Sequence, residues 1–196
     1  MSTRAAAPVD RAAQILDAAA ALFAERGYGA TGIDDIGAAV GVSGPAIYWH
    51  YKGKKALLAA MLTDVSERLL AQGQQCVDAA RDAEAALQAL VREQVTFAMD
   101  HPDLIVVHAR ELRHLDTAQA HRVRLLQRQY VDVWVEVMHR RYPKAGRPKL
   151  VAAVQAAIGL INSTPFVGAV SRRTLAPMLT DMALAALHAV GAPKDA

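Results

Sequence analysis

A chain of 196 residues with 53% hydrophobic and 21% charged side chains can bury a core of its own and lacks the sparse, highly charged composition of a disordered segment. Its formal charge of +3 is too small to argue for nucleic acid unaided, and residues 1–57 carry six basic against five acidic side chains, so any such reading must come from local geometry. One cysteine, Cys76, excludes an internal disulfide and a cysteine-built metal site, and fits a cytoplasmic protein.

With 5% aromatic residues and an excess of Ala, Leu and Val, the composition points to an all-α fold. The first ten residues have no long apolar run behind Arg4 and read as a loose arm rather than a leader. Ile15, Ala19, Leu22 and Phe23 then recur at helical spacing, with Asp10 placed as N-cap and Gly27 as the stop. A second helix of about two turns opens at Thr31-Gly32 and carries Ile33, Ile36 and Val40, with Asp34 and Asp35 at the positive end of its dipole. Gly41-Val42-Ser43 makes a tight break, and a third short helix starts at once with Pro45 in its first turn. A long helix from Lys54 follows, with Leu57, Leu58, Met61, Leu62 and Val65 on its apolar stripe. Residues 71–82, with Gly73 and a dense polar run, are expected to be its soft end and a joint. Five further helices are predicted at about 83–100, 103–115, 117–141, 147–167 and 172–190, and no strand pattern occurs. The apolar stretch at 150–170 is broken by Gln155, Asn162, Ser163 and Pro165, which argues against a membrane span.

Short helix, glycine turn, short helix over residues 31–51 is the pattern of a helix-turn-helix. Any small helical hairpin would bury Ile33, Ile36, Val40, Val42 and Ile47 in the same way, so the outward side chains are what distinguish a DNA reader. With Ile47 turned inward, the outer face offers Ser43, Gly44, Pro45, Tyr48 and His50, small or aromatic groups suited to phosphates and thymine methyls rather than the Glu and Lys of a merely solvated face.

The run Gly41-Val42-Ser43-Gly44-Pro45-Ala46-Ile47-Tyr48-Trp49-His50-Tyr51-Lys52-Gly53-Lys54-Lys55-Ala56-Leu57 resembles the DNA-binding signature of the tetracycline-repressor (TetR) family, and the likeness extends over about residues 10–62. The resemblance implies an all-α protein of about nine helices: a helix-turn-helix DNA-binding domain at 8–53 and a helical effector-binding and dimerisation domain at 54–196. By position, Thr31 resembles a phosphate-contacting residue at the start of the second helix, although an ordinary N-cap would look the same. Ser43, Gly44 and Pro45 occupy the leading turn of the recognition helix. Tyr48 and His50 resemble its backbone and base-edge contacts, and Lys54 resembles the phosphate clamp after it, while Trp49 is expected in the core. Two positions depart from the family pattern. Asp34 stands where many members carry a basic or polar residue, and Gly44 removes a side chain that could read a base, which shifts selectivity toward Pro45, Tyr48 and DNA shape.

In the second half, polar residues interleave with apolar ones on two adjacent helices. Gln127, Tyr130 and Trp134 follow at i, i+3 and i+7 and would line one side of a pocket, joined by Arg110, His114 and Asn162, although packing with satisfied polar tips would give the same pattern. The basic excess on these helices points to a small, lipophilic, anionic effector. His108 and Glu111 lie one turn apart, but no third ligand follows from spacing, so no metal is expected. Ser43 and Ser163 lie in no nucleophile motif and no phosphate-cradling glycine loop occurs, so neither catalysis nor a cofactor is expected. The last two helices carry Leu150, Val154, Ile158 and Ile161, then Leu175, Met178, Met182 and Leu187, too apolar to stand exposed and suited to a homodimeric four-helix interface. The function expected is a homodimeric repressor released from a palindromic DNA operator by its effector. The alternative is a helical small-molecule binder or enzyme that never meets DNA.

Overall fold

The computed structural model describes residues 11–168 and 170–191; the loose arm and the Asp10 cap lie outside them. Among the described residues every regular element is helical: α1 (Arg11–Arg26), α2 (Ile33–Val40), α3 (Gly44–Tyr48), α4 (Lys54–Asp78), α5 (Ala83–Asp100), α6 (Pro102–Glu111), α7 (Thr117–Arg141), α8 (Arg147–Ile161) and α9 (Arg172–His188), with short 3-10 turns at Leu112–His114, Thr164–Phe166 and Ala189–Gly191.

Local chemistry sets most boundaries. Asp82 accepts the Ala85 amide at 2.7 Å to start α5, and Asp116 with Gln119 forms a reciprocal capping box at the head of α7. Gly41 takes φ +70° and closes α2 in the left-handed conformation that a side chain would disfavour.

Two boundaries differ from the sequence expectation. α4 runs unbroken to Asp78, so residues 71–78 are helix and not a joint. Gly73 is buried where the Tyr130 ring crosses α4, and a Cβ there would stand 2.9 Å from Tyr130 Cε2, so this glycine serves close packing. α8 stops at Ile161, not 167. Pro165 has no N–H to give the Ile161 carbonyl, which instead accepts the Thr164 hydroxyl at 2.7 Å.

Two apolar clusters hold the molecule. One gathers Ile15, Phe23, Ile36 and Ile47 with Leu57, Leu58, Met61 and Leu62 of α4, and is completed by Leu104 and Val107 of α6 and Val123 of α7. The other joins α5, α7, α8 and α9 around Leu90, Trp134, Met138, Val154, Leu179 and Leu187. The first core therefore runs across residue 54 into α4 and α6. The segment Arg172–Gly191 is long and apolar enough to cross a membrane by length and composition, but its Leu175, Leu179, Ala183 and Leu187 are buried against the bundle.

Candidate DNA-binding face and ligand cavity

α2 and α3 meet closely because Gly37 lies under the connecting turn, where a Cβ would be 2.7 Å from the Val42 carbonyl oxygen. Ile36 and Ile47 are fully buried and anchor both helices on α1 and α4. The outer face then presents Ser43, Pro45, Tyr48 and His50, all exposed. Trp49, expected in the core, is 89% exposed beside Tyr48 at 57%. Ile47 is the inward residue of this turn, and the residue two positions on points away from it.

Three residues on the expected DNA face point elsewhere. Thr31 is only 1% exposed, and its hydroxyl donates to the carbonyls of Gly27 and Leu22 at 3.0 and 3.3 Å; Gly32, its amide held by Asp35 at 2.7 Å, is the N-cap of α2. Gly44 is buried, with the Asp34 carboxylate occupying the space a side chain would need. Lys54 Nζ donates to the carbonyls of Tyr28 and Thr31 at 2.6 and 2.7 Å and lies 4.4 Å from the centre of the Tyr28 ring. Its ammonium thus ties the α1–α2 loop to the start of α4. Lys52 and Lys55, on either side of it, are exposed. The sequence signature singles out Lys54 and neither of these neighbours.

The second feature is a cavity of about 320 Å³ between α4, α5, α6, α7 and α8. A larger depression beside Cys76, about 640 Å³, is an open trough on the surface. The cavity wall is mostly apolar, and three of the residues expected there, Gln127, Tyr130 and Asn162, line it. They meet Gln94 and His108, which sequence spacing did not single out for this role. The Tyr130 hydroxyl donates to Gln94 Oε1 at 2.8 Å, and Gln94 Nε2 donates to Asn162 Oδ1 at 2.9 Å. Gln127 meets the His108 ring, also on the cavity wall. A glutamine at 1% exposure inside an apolar helix face is the signal that could have found Gln94, but burial is not visible in a single sequence.

Arg110, His114 and Trp134 lie elsewhere. Arg110 is exposed on α6. His114 stacks on the Tyr28 ring at 4.6 Å between centroids and pairs with buried Glu111 at 3.2 Å, so it belongs to the joint between the first core and α6. Trp134 is fully buried and meets Tyr130 edge to face at 6.0 Å. His108 and Glu111 therefore face different neighbours. The basic excess also lies outside the cavity: Arg124 and Arg128 line an open groove on α7 that shares Gln127 and Val131 with the cavity wall. Burial pushes the His108 imidazole below its ordinary value of 6.5, so the ring is neutral at pH 7.

Comparison with known proteins accords with this layout. The family profile described as bacterial regulatory proteins, tetR family, matches residues 15–61, and that of the tetracyclin repressor-like C-terminal domain matches residues 80–187. The HTH-type transcriptional repressor KstR2 of Rhodococcus jostii is 30% identical over 105 residues, 54% of this chain and 52% of that protein, so the alignment spans about half the length of this curated relative. A TetR-family transcriptional regulator from Bordetella parapertussis superposes with a TM-score of 0.79 at 25% identity, covering 90% of this chain and 95% of that one. The fold is shared at 19% identity, TM-score 0.73, with AibR, solved in complex with isovaleryl coenzyme A and operator DNA, over 88% of this chain and 97% of that one.

Proposed function

Because the chain belongs to the tetracycline-repressor family of bacterial regulatory proteins, we propose that it is a ligand-responsive DNA-binding transcriptional regulator, not an enzyme. We read it as a homodimeric cytoplasmic repressor that a small lipophilic effector releases from a palindromic operator. The observation that carries this is the pairing of two features on one scaffold: an exposed Tyr48-Trp49-His50 face at the second helix of a helix-turn-helix, and a mostly apolar cavity lined by α4, whose start packs in the same core as that helix.

In this reading Ser43, Pro45, Tyr48, Trp49 and His50 meet the major groove, and Lys52 and Lys55 supply phosphate charge. Two copies held about 34 Å apart read a palindrome. α4 lines the cavity with Val65, Ser66 and Leu69 and holds the α1–α2 loop through Lys54 at its start. α6 lines it with His108, and Glu111 at its end pairs with His114 of the following 3-10 turn, which stacks on Tyr28 of the same loop. A ligand that spreads these helices moves the recognition helices off their spacing, and a differential affinity of a few kcal/mol between the two states is enough to release DNA.

The test uses the two tryptophans, one exposed and one buried. Titrating the protein with the DNA upstream of its own gene should give salt-dependent, competitor-resistant binding at nanomolar levels and change the emission of Trp49 but not of Trp134. Tyr48→Ala should weaken that binding at unchanged folding stability. Indifference to duplex DNA, in both anisotropy and Trp49 emission, would leave the helical binder that never meets DNA as the better reading.

A further inference from the structure

We propose that the cavity takes an uncharged lipophile through a carbonyl oxygen, a ketone or ester group held by the side-chain amides of Asn162 and Gln94. This rests on reading the cavity as the effector site and goes on to its chemistry. The polar cluster has a direction. Tyr130 gives its hydrogen to Gln94 Oε1, and Gln94 gives one amide hydrogen to Asn162 Oδ1. The hydrogens these two bonds leave unspent are the second of Gln94 Nε2 and both of Asn162 Nδ2. Asn162 is half-buried on the cavity wall, with its Oδ1 engaged by Gln94.

Charge decides what those donors receive. Among the described residues no Lys, Arg, Asp or Glu lines the cavity, and the ionisable base among them, His108, is biased toward its neutral form by burial. A carboxylate would lose its hydration and find no counter-ion, a cost of several kcal/mol. A plain hydrocarbon would strip the amides of water and leave them unsatisfied, at about 1–3 kcal/mol. A neutral acceptor on an apolar body avoids both. At about 30 Å³ per non-hydrogen atom, a water's share of the liquid, the 320 Å³ cavity has room for roughly eleven such atoms. Arg124 and Arg128 do not change this, because they lie in the open groove across Gln127 and Val131.

The probes are 2-undecanone, methyl decanoate and decanoate, titrated calorimetrically into the full-length protein at pH 7.5 without DNA. The ketone and the ester should bind at least tenfold more tightly than the carboxylate. Asn162→Leu should weaken the ketone about tenfold, and Asn162→Asp, which keeps the size and removes the donors, should do the same if the leucine variant folds poorly. Carbonyl-labelled 2-undecanone should show an infrared band lowered in frequency in the wild type and not in either variant. Decanoate binding as tightly as the ketone, an unchanged affinity or carbonyl frequency in both variants, or no binding by any probe would overturn the proposal. Operator binding by the same preparation, measured separately, would in that case leave the regulator reading standing.

Discussion

Lys54 shows how one side chain can hold the loop before α2 against the start of α4. Its ammonium donates to two backbone carbonyls and lies over the Tyr28 ring, all on the loop that enters α2. Hydrogen bonds from a charged donor are worth about 1.5–3 kcal/mol when they are not fully solvated, and these are part-buried. Lys54→Ala is therefore expected to lower unfolding stability by about 1–3 kcal/mol in urea, whereas Lys55→Ala should leave the midpoint unchanged and reduce the slope of log affinity against log salt by about one. An unchanged midpoint for Lys54→Ala would show that the clamp contributes nothing. Asp34 and Gly44, the two departures from the family pattern, are two halves of one contact, since the carboxylate fills the space left by the missing side chain.

At the scale of elements, glycine inside a long helix reads as a weak point, because it costs about 1 kcal/mol relative to alanine. Gly73 reverses that inference. Its missing side chain lets α7 bring Tyr130 onto α4, and the same Tyr130 holds Gln94 at the cavity. Gly73→Val should therefore destabilise the fold by about 1–3 kcal/mol despite a gain in helix propensity, and should disturb ligand binding with it. A rise in melting temperature would show that α4 and α7 have room to spare. The end of α8 has a similar consequence: Pro165 stops the helix after Ile161, and Asn162 becomes its cap beside the cavity instead of one more turn of helix.

Across the whole molecule, α9 is half satisfied. Leu175, Leu179 and Leu187 are buried in the bundle, while Met178 and Met182 remain 42% and 47% exposed. On α8 the exposed positions Ala152, Ala156 and Gly159 form a stripe of small residues, and a Cβ at Gly159 would meet nothing within 4 Å. In the proposed palindrome reader a second copy covers these positions in a four-helix arrangement. Met182→Asp should convert a dimer to monomer in sedimentation and weaken operator binding far more than it weakens folding. A wild-type chain that is monomeric at micromolar concentration would remove the dimer from the mechanism.

Helix periods and turn glycines were legible along the chain because they depend on neighbours within a few residues, as at Gly27 and Gly41, whereas the caps at Asp82 and Asp116 were not singled out. The motif of the reading head was legible for the same reason, with Ile47 inward and Tyr48 outward. Spacing could not assign the partners of Lys54, Thr31, His114 and Trp134, because periodicity tells which residues share a face and not what that face meets. Gln94 and Asn162 are 68 positions apart and face each other only once α5 and α8 close on the cavity. Whether a polar side chain is spent on its own fold or left free for a ligand is therefore a property of packing across distant segments.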